Sequence, residues 1–457
     1  MRNYKKFLPL FCLLLAAAFA QQSRPEIDQI ANAALAATGV PSASVSIVEN
    51  GKIVYAKAYG NARLDPATPA QPQMRYAIGS ISKQFAATAV LMLQEQGKLS
   101  LDDHVDKYIP GLTRGNEVTI RELLSHTSGY QDFWPQDYVP PRMLQPISAQ
   151  QILDIWARKP LDFDPGTKWQ YSNTNYVIAG LIVEKVSGMP FFDFIREHIF
   201  KPLGMHSVDD VNMNKLPPTD ATGYFRYALG PPHVAPKEGR GWLFAMGELA
   251  MTAEDLQKWN ISVIDQTLLK PASYKELETE VLLKDGSPTG YALGMDVSHK
   301  NGHRILQHGG EVSGFTATSM ILPDEHMAIV ALTNQDAAEA SSLIANNIRQ
   351  TLLATASDPK QDALVERVVK DLAQGKIERS LFTANANAYF NAQALQDYSA
   401  SLSPLGPLQG VKQNSQSLRG GMTYRNYTAN YKGKPLTISI YEMPDGKIEQ
   451  FIIRPRQ

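Results

Sequence analysis

The sequence predicts an α/β fold, in which an antiparallel sheet is flanked by helices and carries an inserted helical subdomain, followed by a small C-terminal α+β domain. Three observations predict it. Strand patterns lie at both ends of residues 24–355, helix patterns lie between them, and the pattern changes again after ATASDPK. Strands at the two ends of a segment build one sheet when the helices between them form an insertion. A chain of 457 residues with 44% hydrophobic residues is long enough to bury such a core.

The composition excludes several function classes. A formal net charge of −1 and 19% charged residues give no field that would gather nucleic acid or hold the protein on an anionic membrane surface. The single cysteine, Cys12, lies in the N-terminal apolar run. Without that run the chain has no thiol, which excludes thiol catalysis, disulfides and a cysteine zinc site.

Residues 1–20 have the pattern of a secretory signal peptide. Three basic residues within the first six positions precede the apolar run FLPLFCLLLAAAF, and the small-residue pattern Ala18–Ala20 supplies a cleavage site. The run is shorter than the ~20 residues that a membrane-spanning helix needs. We therefore expect a mature chain that begins near Gln21, has no stable membrane span, and is exported to the periplasm or secreted.

The next segments predict strands and then helices. PSASVSIVENGKIVYAKAYG alternates and is rich in β-branched residues around Asn50-Gly51, which is a two-residue hairpin signal. From Ser80 to about Met251 the pattern is mostly helical. TIRE, starting at Thr119, is a capping box, and Thr252 starts a second helix.

Strand patterns return in YALGMDVSHKNGHRILQHGG and FTATSMILPDEHMAIVALTN, which predict three or four strands before a helix near residues 338–354. Residues 358–457 predict a separate module, with an amphipathic helix over Leu364–Leu372. A three-stranded meander follows, with turns at Lys432-Gly433 and Asp445-Gly446. Because no nucleophile and base emerge in this module, we expect it to be an accessory domain.

Ser80 and Lys83 stand at the head of an apolar segment, in YAIGSISKQF. If a helix starts near Ser80, the two side chains share a face with their Cβ atoms ~5–6 Å apart. A lysine accepts a proton only when neutral, a state that burial among apolar neighbours favours. The backbone N–H groups of the helix start, including that of Ser80, are able to receive a developing oxyanion. The alternative is an N-cap serine beside a lysine with an exposed tip, since a Ser-x-x-Lys pair also arises by chance.

Two further elements carry reactive groups. PGTKWQYSNTNY places Tyr171 and Asn173 in a loop before an apolar helix, where a phenol whose pKa is lowered by a lysine relays protons and an amide holds a substrate carbonyl. His308-Gly309-Gly310 ends a predicted strand. Glycines there let a substrate approach, and the N–H of Glu311 completes an oxyanion pair. A common loop tripeptide and a plain glycine turn are the structural alternatives.

Taken together and in this order, the three elements resemble the serine β-lactamase and DD-peptidase superfamily, in particular its penicillin-binding-like serine hydrolases. That group includes class C β-lactamases, D-amino-acid peptidases and related carboxylesterases. The resemblance covers roughly residues 24–355 and extends to the phrases LLSHTSGY and TAEDLQKW.

The resemblance implies a role for each motif residue. Ser80 would be the acylated nucleophile, Lys83 its base or proton relay, and Tyr171 the second general base, which protonates the leaving group and then activates water. The resemblance also implies four groups on the substrate side, which are Asn173, His308, Gly310 and Glu311. The oxyanion hole would be formed by the backbone N–H groups of Ser80 and Glu311. His308 stands where many relatives have lysine, with a ring able to donate toward Tyr171 or the substrate. Whether Lys83 or Tyr171 takes the Ser80 proton stays open.

The implied reaction is acyl transfer to water through an acyl-enzyme, on a small-molecule or peptide substrate and with no metal or organic cofactor. Many relatives that bind a substrate carboxylate carry Lys-Thr-Gly or His-Thr-Gly in the third motif, whereas Gly309 replaces the threonine here. A buried carboxylate needs such partners to offset its desolvation. We therefore expect amide, peptide or ester hydrolysis of the D-amino-acid peptidase or carboxylesterase type. The alternatives are a β-lactamase and an acylated sensor with slow turnover.

Two other positions stand out. His126 lies in the HTSG phrase, which the resemblance places as a structural loop near the site, so we expect no catalytic role for it. Gly247-Glu248 stands where many relatives carry paired glycines. This difference either reshapes the wall of the pocket or has no effect. No paired histidine spacing indicates a metal, and the sequence leaves the oligomeric state open.

Overall fold

This computed structural model describes residues 24–300, 302–353, 358–432 and 434–455. The predicted signal peptide, residues 1–20, lies outside the described residues, as do the predicted end of the hydrolase domain at residue 355 and Gly433 of one predicted turn.

An antiparallel sheet forms the centre of the first domain. The strands of this domain are β1 (Ser42–Glu49), β2 (Lys52–Leu64), β3 (Ala67–Pro69), β4 (Tyr76–Ala77), β5 (Asp209–Asp210), β6 (Tyr224–Arg226), β7 (Pro232–Val234), β8 (Leu249–Met251), β9 (Asp296–Lys300), β10 (His303–Val312), β11 (Phe315–Leu322) and β12 (Met327–Thr333). Within the described residues, seven of them form one sheet in the order β3-β2-β1-β12-β11-β10-β9. β1 pairs with β12, so the two ends of the domain share one sheet, as the sequence predicts.

Helices cover both faces of this sheet. They are α1 (Pro25–Thr38), α2 (Ser82–Glu95), α3 (Ile120–Leu124), α4 (Ala149–Ile152), α5 (Asn173–Ser187), α6 (Phe191–Ile195), α7 (Ala253–Ile264), α8 (Pro271–Glu278) and α9 (Ala340–Leu352). α1 and α9 share a buried apolar cluster with one face, through residues such as Ile27, Val45 and Ile344. α2, α5 and α7 share a larger cluster with the other face. Burial of each large apolar side chain contributes ~1.5–3 kcal/mol, and this second cluster forms the floor below the motifs.

Local signals in the sequence are confirmed where the chain turns. Asn50 and Gly51 both adopt positive φ, at 52° and 69°, as a type I′ hairpin requires. Thr119 accepts from the backbone N–H of Glu122 at 3.2 Å, and the Glu122 carboxylate accepts from the backbone N–H of Thr119 at 2.8 Å, completing the predicted capping box. Thr252 caps α7 in the predicted position.

The C-terminal module has a core of its own. The helices α10 (Pro359–Ala373), α11 (Ala384–Tyr389) and α12 (Ala392–Leu402) contribute to one apolar cluster with the strands β13 (Gly410–Arg419), β14 (Met422–Asn430), β15 (Leu436–Glu442) and β16 (Ile448–Pro455). The predicted three-stranded meander is confirmed as β14, β15 and β16. A fourth strand, which the sequence analysis did not predict, pairs with β14, so the described part of the module has four strands in chain order across the sheet. The missed strand, β13, lies at a sheet edge and reads GVKQNSQSLR. An edge strand with mostly solvated side chains lacks the apolar alternation by which strands are recognised.

Candidate active site

The predicted site residues meet around one cleft at the head of α2. They are Ser80, Lys83, Tyr171, Asn173, His308, Gly310 and Glu311. The cleft has a volume of about 1010 Å³ and opens to solvent. It lies between the end of β10 and the loop that precedes α5.

Two glycines bring β10 against the turn that carries Ser80. Gly79 has a φ of 52°, and a β-carbon placed on it would lie 2.6 Å from the backbone nitrogen of Glu311. A β-carbon on Gly310 would lie 1.8 Å from the Ile78 carbonyl oxygen and 3.3 Å from the Ser80 nitrogen. Only glycine permits this approach. This close packing of β10 against the Ser80 turn brings the backbone N–H groups of Ser80 and Glu311 together, so that both are able to bind one oxyanion.

Lys83 is fully buried, and its ammonium nitrogen has three partners. Its Nζ lies 2.8 Å from Asn173 Oδ1, 2.8 Å from the Met246 carbonyl oxygen and 2.9 Å from Ser80 Oγ. The amide and carbonyl oxygens are acceptors only, so they take two hydrogens of the amine. In the neutral amine, the remaining position is the lone pair, which faces Ser80 Oγ. This arrangement lets Lys83 accept the proton of the serine.

Burial makes the neutral amine accessible near neutral pH. Desolvation lowers the pKa of Lys83 from its ordinary value of 10.5 to about 7, against the opposing charge of Asp132. A substantial fraction of Lys83 is then uncharged at pH 7, where an ordinary lysine would be a cation. General bases act best when their pKa lies near the working pH.

Asp132 fixes the orientation of Asn173, and sequence reasoning missed it. One carboxylate oxygen accepts from the Asn173 backbone N–H at 3.0 Å, and the other accepts from Asn173 Nδ2 at 3.2 Å. The amide oxygen of Asn173 is thereby turned toward Lys83. Burial raises the pKa of Asp132 to about 6, although hydrogen bonds from Trp134 and Asn173 oppose the rise. The only signal in the sequence is an acid shortly after HTSGY, with nothing to pair it with a residue 41 positions later.

Tyr171 contacts both the nucleophile and Lys83. Its phenol forms a hydrogen bond with Ser80, and the Lys83 nitrogen lies 5.0 Å from the centre of its ring. Burial raises the pKa of Tyr171 above the usual range of a phenol, and the bond with Ser80 only partly offsets this. The condition under which a nearby lysine lowers the pKa of the phenol is therefore not met. Lys83, with a pKa near 7, is the group ready to accept a proton, and Tyr171 is a neutral donor.

The ring nitrogens of His308 bond to groups other than Tyr171, although the two rings lie 6.2 Å apart, centre to centre. Its Nε2 accepts from the Tyr291 hydroxyl at 2.8 Å, and its Nδ1 donates to the Gly309 carbonyl at 2.5 Å. Burial and the nearby charge of Lys83 lower the pKa of His308 to about 4. The expected donation from this ring to Tyr171 is therefore wrong. His308 is a neutral, fixed wall of the cleft and supplies no positive charge in place of the lysine that relatives carry.

His126 packs behind the site, away from the reacting atoms. Its ring centre lies 4.3 Å from that of Tyr171, and its Nδ1 accepts from the backbone N–H of Ser172 at 3.2 Å. Burial lowers the pKa of His126 well below its usual value, so the ring is neutral. It supports the Tyr171 loop by packing, in line with a structural role.

The cleft has an acidic, aromatic lining. Its acids are Asp132, Glu311, Asp336 and Glu339, and its large aromatic residues are Phe133, Trp134, Tyr138, Phe225 and Tyr227. The one basic side chain among the described lining residues, Arg226, is engaged by the Gly39 carbonyl and the Gln335 side chain. The lining therefore opposes a free carboxylate and accepts apolar or aromatic groups.

The two departures from the family pattern have different surroundings. Gly309 is exposed, and a β-carbon on it would meet nothing closer than the Ala317 carbonyl oxygen at 3.9 Å. A side chain at position 309 would therefore fit. Gly247 lies against Val312 and Gly79, whereas Glu248 is buried with its pKa raised well above the usual value by desolvation. Glu248 thus faces the protein interior, and neither Gly247 nor Glu248 lines the cleft.

In the described part of the chain, no group of three or more histidine, cysteine, aspartate or glutamate side chains is arranged to hold a metal ion. None of the helices there has both the length and the apolar character to cross a bilayer.

Comparisons with known proteins agree with this geometry. A model of the Beta-lactamase family matches residues 27–353. Penicillin-binding protein 4* of Bacillus subtilis is 29% identical over 308 residues, which cover 64% of this chain and 68% of that protein. A D-stereospecific amidohydrolase from Streptomyces sp. superposes with a TM-score of 0.64 at 27% identity, over 73% of this chain and all of that one. An octameric penicillin-binding protein homologue from Pyrococcus abyssi has a TM-score of 0.66 at 23% identity, over 95% of this chain and 96% of that one, so its fold also covers the C-terminal module.

Proposed function

This chain belongs to the Beta-lactamase family and is a serine hydrolase, and we propose that it cleaves small amides, peptides or esters through an acyl-enzyme on Ser80. The observation that carries the proposal is the set of contacts around Lys83. Two oxygens take hydrogens of its amine, and the third contact is Ser80 Oγ at 2.9 Å. The nucleophile and a base with a pKa near 7 are thus already in contact before substrate binds.

The reaction follows from these contacts. Ser80 Oγ attacks the substrate carbonyl carbon while its proton passes to Lys83 Nζ, and the N–H groups of Ser80 and Glu311 stabilise the oxyanion. The bond to the leaving nitrogen or oxygen then breaks. Tyr171 donates its phenolic proton to the leaving group, and the proton on Lys83 restores the phenol. Water then attacks the carbonyl carbon of the acyl-enzyme ester, and Tyr171 and Lys83 carry the proton of this water to Ser80 Oγ. The bond between the acyl group and Ser80 breaks, which releases the acid and restores the serine.

The lining of the cleft supports a substrate class. Glu311, Asp336 and Glu339 would repel a carboxylate beside the scissile bond, while an amino group or an uncharged substituent would be accepted. The exposed side chains of Trp134 and Tyr227 offer aromatic surface to a large acyl or side-chain group. We therefore propose amino-acid amides and uncharged esters, in preference to β-lactams and peptides with a free terminal carboxylate. The Streptomyces relative is described as an amidohydrolase, which supports the amide part of this proposal.

Four substrates test it: a p-nitrophenyl ester, a D-amino-acid amide, a D-alanyl dipeptide and nitrocefin, compared by kcat/KM with Ser80→Ala as the control. We expect hydrolysis of the ester and the amide, and little turnover of nitrocefin. Efficient nitrocefin turnover would show that the acidic cleft does not exclude carboxylates. Gly309→Thr, which the space at position 309 accommodates, should raise the rate of nitrocefin acylation in this assay.

Intact mass after reaction with a fluorophosphonate and with a penicillin distinguishes an enzyme from an acylated sensor. An adduct that forms and then disappears indicates turnover, and a lasting penicillin adduct indicates a sensor. If neither reagent adds mass and Ser80→Ala equals wild type on every substrate, the acyl-enzyme proposal is wrong.

We also propose that the protein is exported, because its N-terminus has the basic, apolar and small-residue order of a signal peptide. N-terminal sequencing of the protein recovered from the periplasm or medium should give a start near Gln21. Recovery only from the cytoplasm, with Met1 intact, would contradict export.

A further inference from the structure

A second cavity adjoins the catalytic cleft. It has a volume of about 510 Å³, within the ~300–1,000 Å³ of small-molecule sites, and it shares Val312 and Ser313 with the lining of the cleft. Ser80, Tyr171 and Asn173 line the cleft but do not line this cavity. It is a separate space on the opposite edge of the turn that follows β10.

The walls of the second cavity are mostly apolar. Buried or half-buried hydrophobic side chains from distant parts of the chain meet there: Ala77, Val211, Leu216, Ala221, Leu243 and Phe315. A hydrocarbon chain that left water to enter such a space would gain free energy in proportion to the apolar area buried.

Three cations stand beside this apolar space. Arg63, Lys215 and Lys237 all line the cavity, and none of them forms an ion pair with a residue that the structure describes. The Nε of Arg63 is buried without a hydrogen-bond partner. Burial lowers the pKa of Lys237, although the charges of Glu238 and Asp210 oppose this shift. Positive groups held next to an apolar space and left unpaired are stabilised by an anionic ligand.

The acid in the cavity lining is already engaged. One carboxylate oxygen of Glu238 accepts from the Ser313 backbone N–H at 2.7 Å and from the Tyr138 hydroxyl. Both donors belong to residues that line the catalytic cleft. Glu238 is thus hydrogen-bonded to the wall between the two spaces. Its charge acts on Lys237, but it forms no ion pair with any of the three cations.

From this combination we propose that the second cavity binds a single-chain amphiphile with a carboxylate head, of the fatty-acid class. The hydrocarbon chain would lie against the apolar walls. The carboxylate would accept hydrogen bonds from Arg63, Lys215 and Lys237, which are left without such an acceptor in the free protein.

Isothermal titration of Ser80→Ala protein with dodecanoate, below its micelle concentration, tests the proposal without any catalysis. We expect saturable binding of one dodecanoate per chain and weaker binding of dodecanol. Lys215→Met and Lys237→Met should each weaken dodecanoate about tenfold and leave dodecanol unchanged. Lys98→Met, at an exposed lysine that lines neither space, is the matched control and should change neither affinity.

Leu216→Trp provides an independent variant, because it fills the cavity without changing charge, and it should weaken both ligands. Wild-type protein labelled at Ser80 by a fluorophosphonate should bind dodecanoate with a Kd within about twofold of the unlabelled protein. The proposal is overturned if dodecanoate fails to bind, if the two lysine variants bind it as wild type does, or if the label at Ser80 abolishes binding. Each of these outcomes leaves the hydrolase assays above unaffected.

Discussion

The two domains of this chain bury different kinds of side chain. The first domain buries Lys83, His126 and His308, and burial shifts the pKa of each. Among the described residues of the C-terminal module, 358–432 and 434–455, the buried polar side chains are all uncharged: Gln413, Thr428 and Ser439. Burying a titratable group costs folding free energy unless partners offset it. The first domain also buries charged groups that do not line the cleft, such as Glu248 and Arg349. The difference is therefore that charged side chains, catalytic or not, are buried only in the first of the two described units, which is consistent with the accessory role expected for the second.

Replacing the nucleophile should have the largest effect. Ser80→Ala removes the atom that is acylated, so kcat/KM toward the ester should fall by at least ~10⁴-fold. Ser82→Ala is the matched control, since the hydroxyl of that buried serine accepts a hydrogen bond from the backbone N–H of Leu249 and is not a partner of the Lys83 amine. Its activity should stay within about tenfold of wild type. Equal losses in the two variants would mean that the serines act only through packing.

Lys83→Met should lower kcat/KM by ~10²–10⁴-fold, because it removes the base and keeps the apolar bulk. In the wild type, the neutral fraction of a lysine with a pKa of about 7 rises from roughly one tenth at pH 6 to nine tenths at pH 8. In the wild type, kcat/KM should therefore rise as the pH increases through 7. In Lys83→Met, this rise should be absent. A flat wild-type profile over this range would contradict the assigned role.

The same substitution should change how stability depends on pH. Unfolded Lys83, with its ordinary pKa of 10.5, keeps its proton between pH 7 and 10.5, where the folded state has lost it. The unfolded state binds more protons in that window, so wild-type stability rises with pH there. Relative to Lys83→Met, wild type should gain roughly 2–3 kcal/mol of unfolding free energy between pH 6 and pH 9. Urea unfolding at both pH values measures this gain, and a difference that is the same at both would show that Lys83 titrates normally.

Asp132→Asn should have a smaller effect, of about tenfold on kcat/KM, because the Asn173 amide loses the carboxylate that orients it. The charge of Asp132 raises the pKa of Lys83. Its loss should therefore move the acidic limb of the rate profile to lower pH, which a merely structural defect would not do. Asp154→Asn, at a surface ion pair, is the control and should leave the profile unchanged. A shift of this limb to higher pH in Asp132→Asn would contradict the inference that the charge of Asp132 raises the pKa of Lys83.

Removing residues 358–457 should have the smallest effect on chemistry. None of the described residues in this module lines the catalytic cleft, so kcat/KM for the ester should stay within about threefold of wild type. Solubility or thermal stability is expected to fall, since the surface that faces the module becomes exposed. A changed order of preference among the four substrates would show that the module takes part in substrate selection.

The sequence predicts the parts of this site that depend on local patterns. The hairpin at Asn50-Gly51, the caps at Thr119 and Thr252, and the helical spacing of Ser80 and Lys83 depend on a few neighbouring residues, and all are present in the structure. Contacts across the fold are different. Asp132 reaches Asn173, and His308 turns to Tyr291, only because packing brings separate loops together.

The direction of the Tyr171 pKa shift shows the same limit. A nearby cation lowers the pKa of a phenol and burial raises it, and the sequence does not reveal which effect is larger. In the structure, Lys83 is itself partly uncharged and Tyr171 is half-buried among protein groups, and desolvation is the largest effect on the pKa of the phenol. β13 was missed for a related reason, since its side chains are mostly solvated at the edge of the sheet.

The strand order of the large sheet also determines when catalysis becomes possible during synthesis. Ser80 leaves the ribosome early, but its oxyanion partner Glu311 belongs to β10, and the strand that joins β1 to the rest of the sheet, β12, follows later still. Chains emerge N-terminus first, and contacts distant in sequence form last. Whether the chain folds during synthesis or after export, Ser80 therefore lacks a complete oxyanion hole until β10 and the central strand β12 have joined the sheet.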